Sequence, residues 1–491
     1  MIKERGFMKV LIIQLAKMGD IIQSFPLCDI IFDQYQEIEI YLLHSEIFTE
    51  TLQLKRYLRP IAVNLDLLTN QENETLCLAN TTYSSHLLLS LEQFHFDIII
   101  NLNSSQLAAE ICKRVDCNLK FGFKSGREQD EKWMSYILSF MKTRHLGTFN
   151  LVDIFLKFLQ RLELSAENQT QHSNIKIFQN TISSVKRKEI ELKESRKGLI
   201  CLQLGSRNSK RHPLIKDYAQ IANTLINNGF QIVLTGVKSE MALYDRFLPL
   251  IHQPKFLTNQ IGQTSLLELR DLLDQSEYLI SSDTGTMHLA SLTRCKIFAI
   301  FMGCAYPYET LAYKNETIVF FPDHEMIACY PCNELSQCPN HYICKEFNPE
   351  IVSEYILNHT SHPSLYKSIQ DPIGQYLVPE MKQIISDNQL MALIWRIIGS
   401  HLFYSKNINL NDYQAFYIFN NDQIQKILKL IEREIQIYQL TLSEITDLKH
   451  LTQNFHFLSP LLIFKMIWTE ENTLLSNIIQ CIQSIKTIEF K

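Results

Sequence analysis

No apolar run in this chain of 491 residues approaches the roughly 20 needed to span a bilayer, so a membrane-crossing helix is not expected. The opening Met1-Ile2-Lys3-Glu4-Arg5 does not lead into a signal-peptide core with a small-residue cleavage site. The expectation is a soluble, cytoplasmic protein with at most a peripheral attachment to a membrane. Positive charge is not in excess either: 47 Lys and Arg stand against 52 Asp and Glu, a net charge of −5, whereas a general nucleic-acid binder carries a basic surplus. No paired carboxylate motif argues for a catalytic metal. Without an export signal, the 12 cysteines read as reduced thiols rather than a disulfide framework.

What is present is an alternation of buried strands and helices, in a chain too long for one ordinary core. Strands are expected at Lys9 to Gln14, Ile38 to Leu43 and Asp97 to Leu102, with a helix over Gln106 to Val115, as a parallel sheet requires. Polar, charged residues 165 to 197 read as a crossing segment. The pattern then repeats with strands at Leu199 to Leu204, Gln231 to Thr235, Tyr278 to Ser281 and Lys296 to Phe301. Between the first two lies a helix from Asp217 to Asn228 that Gly229 stops. Beyond residue 355 glycine becomes sparse and long stripes such as Ile424, Ile427, Leu428, Ile431, Ile435 and Tyr438 predict a third, all-helical domain. The expected divisions are residues 1–180, 181–355 and 356–491, the role of the last being open.

Three segments carry chemistry. In Ser282-Asp283-Thr284-Gly285-Thr286-Met287-His288-Leu289-Ala290 a strand ends in a Gly-containing turn and a helix begins at once, which leaves backbone N–H groups for a phosphate. His288, one turn in, either reaches an anion at the mouth or is a core histidine, and Asp283 and Thr284 either line the mouth or only cap the helix. Met18-Gly19-Asp20 follows the first strand, so Asp20 is either an N-cap or a carboxylate at the carboxyl edge of a parallel sheet, where ligands bind. Gly205-Ser206-Arg207-Asn208-Ser209-Lys210-Arg211-His212-Pro213 is a small, basic loop, either solvated or a phosphate clamp.

Together these segments resemble the bacterial heptosyltransferases, glycosyltransferase family nine, over roughly residues 8 to 355. Lesser matches are Phe96 to Leu102, Gly236 with Glu240, Gly262 to Leu266, and Pro307 to Thr310. The resemblance implies the GT-B fold, two Rossmann-like domains facing across a cleft, and an inverting, metal-independent transfer of a sugar from a nucleotide donor, ADP-heptose first. It makes Asp20 the base and assigns the donor to Ser206, Lys210, Glu240, Thr264, Asp283, Thr284, Gly285 and His288. Closure of the two domains would bring Asp20 and Lys210 to the reacting bond. The implied acceptor is a lipopolysaccharide core or another surface glycan, with a protein acceptor or a non-catalytic scaffold as alternatives. Two positions depart from the usual pattern: Gly205 replaces a frequent hydroxyl residue, and Arg211-His212 a common aromatic.

Cys329, Cys332, Cys338 and Cys344 form a separate group whose first pair has the spacing of zinc and iron sites. The spacing leaves open a structural zinc or iron, or four free thiols. Similar groups occur in the family, and in some protein-modifying members they hold iron.

Overall fold

The structure, a computed structural model, describes residues 7–35, 37–68, 82–124, 147–162, 196–322, 340–400 and 410–439, with positions 133, 134, 144, 190, 192, 327, 329–332, 338 and 408 between them. The expected crossing segment falls almost wholly outside these residues. The chain divides into two compact units, residues 1–130, 151–186 and 265–270 forming the first and 131–150, 187–264 and 271–491 the second.

The first unit is built on a five-stranded parallel sheet: β1 (Met8–Ile13), β2 (Ile38–Ser45), β3 (Leu58–Val63), β4 (Ile98–Asn101) and β5 (Leu119–Gly122), in the order β3-β2-β1-β4-β5. Val10 to Ile13 in β1 are wholly buried, which is why this strand reads as an unbroken apolar run and not as an alternation. β3 holds Pro60 and β5 has four residues, and both are at sheet edges, where short strands and proline are tolerated.

The second unit carries β6 (Gly198–Gln203), β7 (Phe230–Thr235), β8 (Leu257–Asn259), β9 (Tyr278–Ser282), β10 (Lys296–Ile300), β11 (Ile318–Phe320), β12 (Leu365–Gln370) and β13 (Gln375–Pro379). Their order is β13-β12-β11-β10-β9-β6-β7-β8, parallel except where β12 meets β11 and β13. Helix Ile215–Asn227 covers this sheet with Tyr218, Ile221, Ala222 and Leu225, all buried in one core cluster.

Two sheets of this Rossmann-like kind are the halves of a GT-B fold. In each, the strand order reverses beside the first strand, between β1 and β4 and between β6 and β9, and such reversals open a crevice at the carboxyl edge. The segments singled out from sequence leave the sheets at those edges: Met18 to Asp20 after β1, Gly205 to Pro213 after β6, Asp283 to His288 after β9.

The all-helical reading of residues 356–491 needs correction. Residues 365–379 form a hairpin that extends the sheet by two antiparallel strands, and β14 (Gln383–Ile384) pairs with β15 (Tyr417–Ile418). The physical reason is a turn at Asp371 to Gly374: the Asp371 carboxylate accepts from the Ile373 and Gly374 N–H groups at 2.9 and 3.0 Å, and Gly374 adopts φ +152°. Helices do follow, at Asp387–Gly399 and Asn421–Gln439. The apolar stripe lies on the second, with Ile424, Ile427 and Leu428 buried, while the side chains from Ile431 onward and residues 440–491 lie outside the described part. No helix among the described residues is long and apolar enough to cross a membrane.

Candidate donor site in the second unit

β6, β7 and β9 end side by side, so their loops share one edge. β6 ends in Gln203, a buried polar residue on an otherwise apolar strand, 5% exposed. Its Oε1 accepts a hydrogen bond from Thr284 Oγ1 at 2.9 Å, across 81 residues of sequence, and its side chain faces the Glu240 carboxylate, favouring the charged form. Thr284 Oγ1 lies 2.9 Å from Ser281 Oγ as well. A chain of polar groups thus joins the loops after β7 and β9 through the last residue of β6.

Glu240 accepts from the Val237 N–H at 3.2 Å, and burial raises its carboxyl above the usual range against the opposing pull of that bond and Gln203. Gly205 and Gly236 make room for it. A Cβ at Gly205 would come within 2.5 Å of Glu240 Oε1, and one at Gly236 would collide with Oε2. Thr264 is half-buried in a loop tied to the same corner by the Gly262 N–H donating to the Gly236 carbonyl at 2.8 Å.

Asp283 pairs with Arg211, whose Nη1 donates to Oδ2 at 2.8 Å, while Arg211 Nε donates to Cys304 Sγ at 3.2 Å. Arg211 is therefore an anchor for the Asp283 turn as well as a departure from the family pattern. Ser206 Oγ donates within its own loop to the Asn208 carbonyl at 2.6 Å, and Lys210 sits in a short 3-10 turn that Asn208 caps, with Nζ 5.9 Å from the Tyr342 ring centroid. Next to these, Arg144 grips Glu309 with two guanidinium nitrogens at 2.8 and 2.9 Å and donates to the Cys304 carbonyl at 3.0 Å.

Gly285–Ala290 forms a short helix with Thr284 as its N-cap residue. Its far end is held by Lys314, whose buried ammonium donates to the carbonyls of Thr293 and Cys295 at 2.7 and 2.6 Å and to Ala290 at 3.4 Å. His288 is 5% exposed; desolvation lowers it to about 4, and its Nδ1 has no hydrogen-bond partner among the described residues. At neutral pH it is an uncharged ring beneath the turn, nearer to the core-histidine reading than to a cation meeting an anion. Because the folded value lies below the ordinary 6.5, the neutral ring's contribution to stability is full above pH 6.5 and declines as pH falls toward 4. His288→Gln is expected to flatten that part of the acid-unfolding profile, and urea midpoints measured from pH 7 to 4 that keep the wild-type slope would contradict this.

Asp20 belongs to the first unit. It is the third residue of helix Met18–Gln34, half-buried, and its Oδ2 accepts from the Lys17 N–H at 3.0 Å, so it does cap the helix.

The four cysteines occupy one loop region, and all are free thiols. Burial raises the Cys344 thiol, and its charge interactions reach Cys329, Cys338 and Cys332. Even so, among the described residues no three His, Cys, Asp or Glu side chains converge as a metal ion requires. Asn340 Nδ2 donates to Cys329 Sγ at 3.2 Å and the Tyr342 N–H to Cys338 Sγ at 3.3 Å.

Gln203, Arg144, Glu309, Cys304 and Lys314 were not singled out from sequence as site residues. Gln203 had a signal, a polar residue ending a buried strand just ahead of Gly205. The others become visible only when distant loops meet.

The family described as glycosyltransferase family 9 (heptosyltransferase) matches residues 85–339. The lipopolysaccharide core heptosyltransferase OpsX of Haemophilus influenzae is 23% identical over 236 residues, 46% of this chain and 62% of that protein. Lipooligosaccharide heptosyltransferase 2 of Haemophilus ducreyi is 30% identical over 105 residues, 21% of this chain and 30% of that protein. The chain thus spans less than two thirds of either relative's length. The crystal structure of a family 9 glycosyl transferase from Veillonella parvula superposes with a TM-score of 0.51 at 14% identity, covering 72% of this chain and 98% of that one, a likeness of fold.

Proposed function

Since the chain belongs to glycosyltransferase family 9, we propose that it transfers a heptose or related sugar from an ADP-sugar to a lipopolysaccharide core or other surface glycan, with inversion at the anomeric carbon. The observation that carries this reading is the meeting of Gln203, Glu240, Thr284 and the Arg211–Asp283 pair where the order of the second sheet reverses. That the Haemophilus relatives are a lipopolysaccharide core heptosyltransferase and a lipooligosaccharide heptosyltransferase supports a glycan acceptor.

In this scheme the acceptor oxygen forms a bond to the anomeric carbon as the bond to the diphosphate oxygen breaks. The hydroxyl proton passes to Asp20, and ADP departs with the bonding pair. Lys210 and Ser206 hold the leaving diphosphate from one side, and the Thr284 and Gly285 amides from the other. Glu240 meets the ribose and Thr264 lines the base pocket. Asp283, held by Arg211, keeps the turn in shape above neutral His288. The scheme asks for no metal ion and places the reaction in the cytoplasm or at the inner membrane face.

Nucleotide binding tests it most directly. ADP at a hundredfold excess over its Kd is expected to stabilise the protein by about 2.7 kcal/mol, and UDP to leave it unmoved. Lys210→Ala should weaken ADP binding roughly tenfold by calorimetry, from loss of one charge-assisted contact. Indifference to every nucleotide would return the chain to the scaffold reading.

A further inference from the structure

A cavity of about 580 Å³ opens in the second unit between the loop after β6 and residues 341–347. Of the residues assigned to the donor, only Lys210 is among its described lining, so it is not the donor site under another outline. Its volume suits a small molecule of one or two rings and not a folded partner.

Its charge is lopsided. Lys210, Lys216 and Lys345 face two carboxylates, Asp217 and Glu346. Asp217 accepts from the Leu214 N–H at 3.2 Å. Lys345 donates to the Ser209 carbonyl at 2.8 Å. Asp217 is the carboxylate that acts on both Lys216 and Lys345, so three ammonium groups share two carboxylates and one positive charge is left over. A cavity wall with that surplus favours an anion.

One wall is aromatic. Tyr342 stays 41% exposed beside Lys210 Nζ, 5.9 Å from its ring centroid. His341 and Tyr342 hold φ of +49° and +60°, two consecutive side chains in the left-handed region, at a cost of about 1–2 kcal/mol each. The fold retains that strain while leaving both rings exposed at the cavity.

Point-charge ammonium groups bind phosphate, and an exposed phenol ring offers a flat apolar face to the C–H side of a sugar. We propose that this cavity is a second ligand site, apart from the donor site, for a phosphorylated sugar, with Lys216 and Lys345 meeting the phosphate and Tyr342 stacking against the ring. The sugar phosphate is either a free metabolite or one unit of a phosphate-bearing glycan.

The test is calorimetry on the full chain at saturating ADP, so that the donor phosphates' place is already filled. Glucose 6-phosphate is expected to bind at least tenfold tighter than glucose and severalfold tighter than inorganic phosphate. Lys345→Met should weaken glucose 6-phosphate about tenfold, the worth of one charge-assisted contact. Tyr342→Ala should weaken glucose 6-phosphate about fivefold, the range of one ring contact, and leave inorganic phosphate unchanged. ADP affinity should stay at the wild-type value in both variants. A singly phosphorylated oligosaccharide binding tenfold tighter than glucose 6-phosphate assigns the site to a glycan, and equal affinity assigns it to the free metabolite. Glucose 6-phosphate binding no tighter than inorganic phosphate, or untouched by either substitution, overturns the proposal. If ADP itself fails to bind, the function proposed above falls while the sugar-phosphate arms still read out, with circular dichroism reporting the fold of each variant.

Discussion

Asp20→Asn is expected to lower turnover by roughly 10² to 10⁴ while leaving ADP affinity within about twofold of wild type. The substitution isolates proton transfer. Asn keeps an oxygen where Asp20 Oδ2 accepts the Lys17 N–H at 3.0 Å, so the start of helix Met18–Gln34 survives. What is lost is the capacity to take a proton from the acceptor hydroxyl. Donor affinity should not follow turnover, because the residues assigned to the nucleotide belong to the other unit. Steady-state rates with a sugar nucleotide and acceptor, beside calorimetry with ADP, separate the two effects. Near wild-type turnover in Asp20→Asn would remove the base assignment and leave Asp20 as a helix cap.

The second large effect is on stability. Replacing Arg396 by Met should cost about 3–5 kcal/mol, because it strands a buried carboxylate. The Arg396 side chain is 0% exposed and that of Asp371 6%, and Arg396 Nε and Nη2 each donate to Asp371 at 2.8 Å. Tyr413 Oη adds a third bond at 2.7 Å, and the guanidinium carbon lies 5.5 Å from the Phe149 ring centroid and 4.9 Å from that of Tyr376. Burial pushes the Asp371 carboxyl up, but the Arg396 charge and the hydrogen bonds together hold it below the usual range. With the folded value below the unfolded one, the stabilisation is present above about pH 3.9 and is lost as pH falls through the folded value. In Arg396→Met the cation is gone and burial dominates, so stability should fall with rising pH instead. Urea unfolding at pH 4 and pH 7 checks both magnitude and sign. Adding Asp371→Asn to Arg396→Met should recover part of the loss, and a single variant within 1 kcal/mol of wild type would show that the buried charge is neutralised some other way.

Much of the architecture was legible along the chain because parallel strands buried on both faces advertise themselves. Met8–Ile13, Gly198–Gln203 and Phe230–Thr235 are apolar almost throughout, and their ends fall within a residue of the sequence reading. β3 escaped because Arg59 and Pro60 break its run, β5 because four residues carry little pattern. The hairpin of β12 and β13 was mistaken for helix because a stretch poor in glycine with scattered apolar residues has no decisive period until Asp371 and Gly374 are seen closing a turn.

The sequence by itself determined the strand–turn–helix units, and with them the placing of Asp20, Gly205 to Lys210 and Asp283 to His288 at carboxyl strand ends, because those features depend on neighbours a few residues apart. Only the tertiary structure decided that Gln203 holds Thr284 and faces Glu240, that Arg211 holds Asp283, and that His288 sits uncharged in the core. Each of these depends on groups brought together across tens of residues or on burial from water, and local spacing encodes neither.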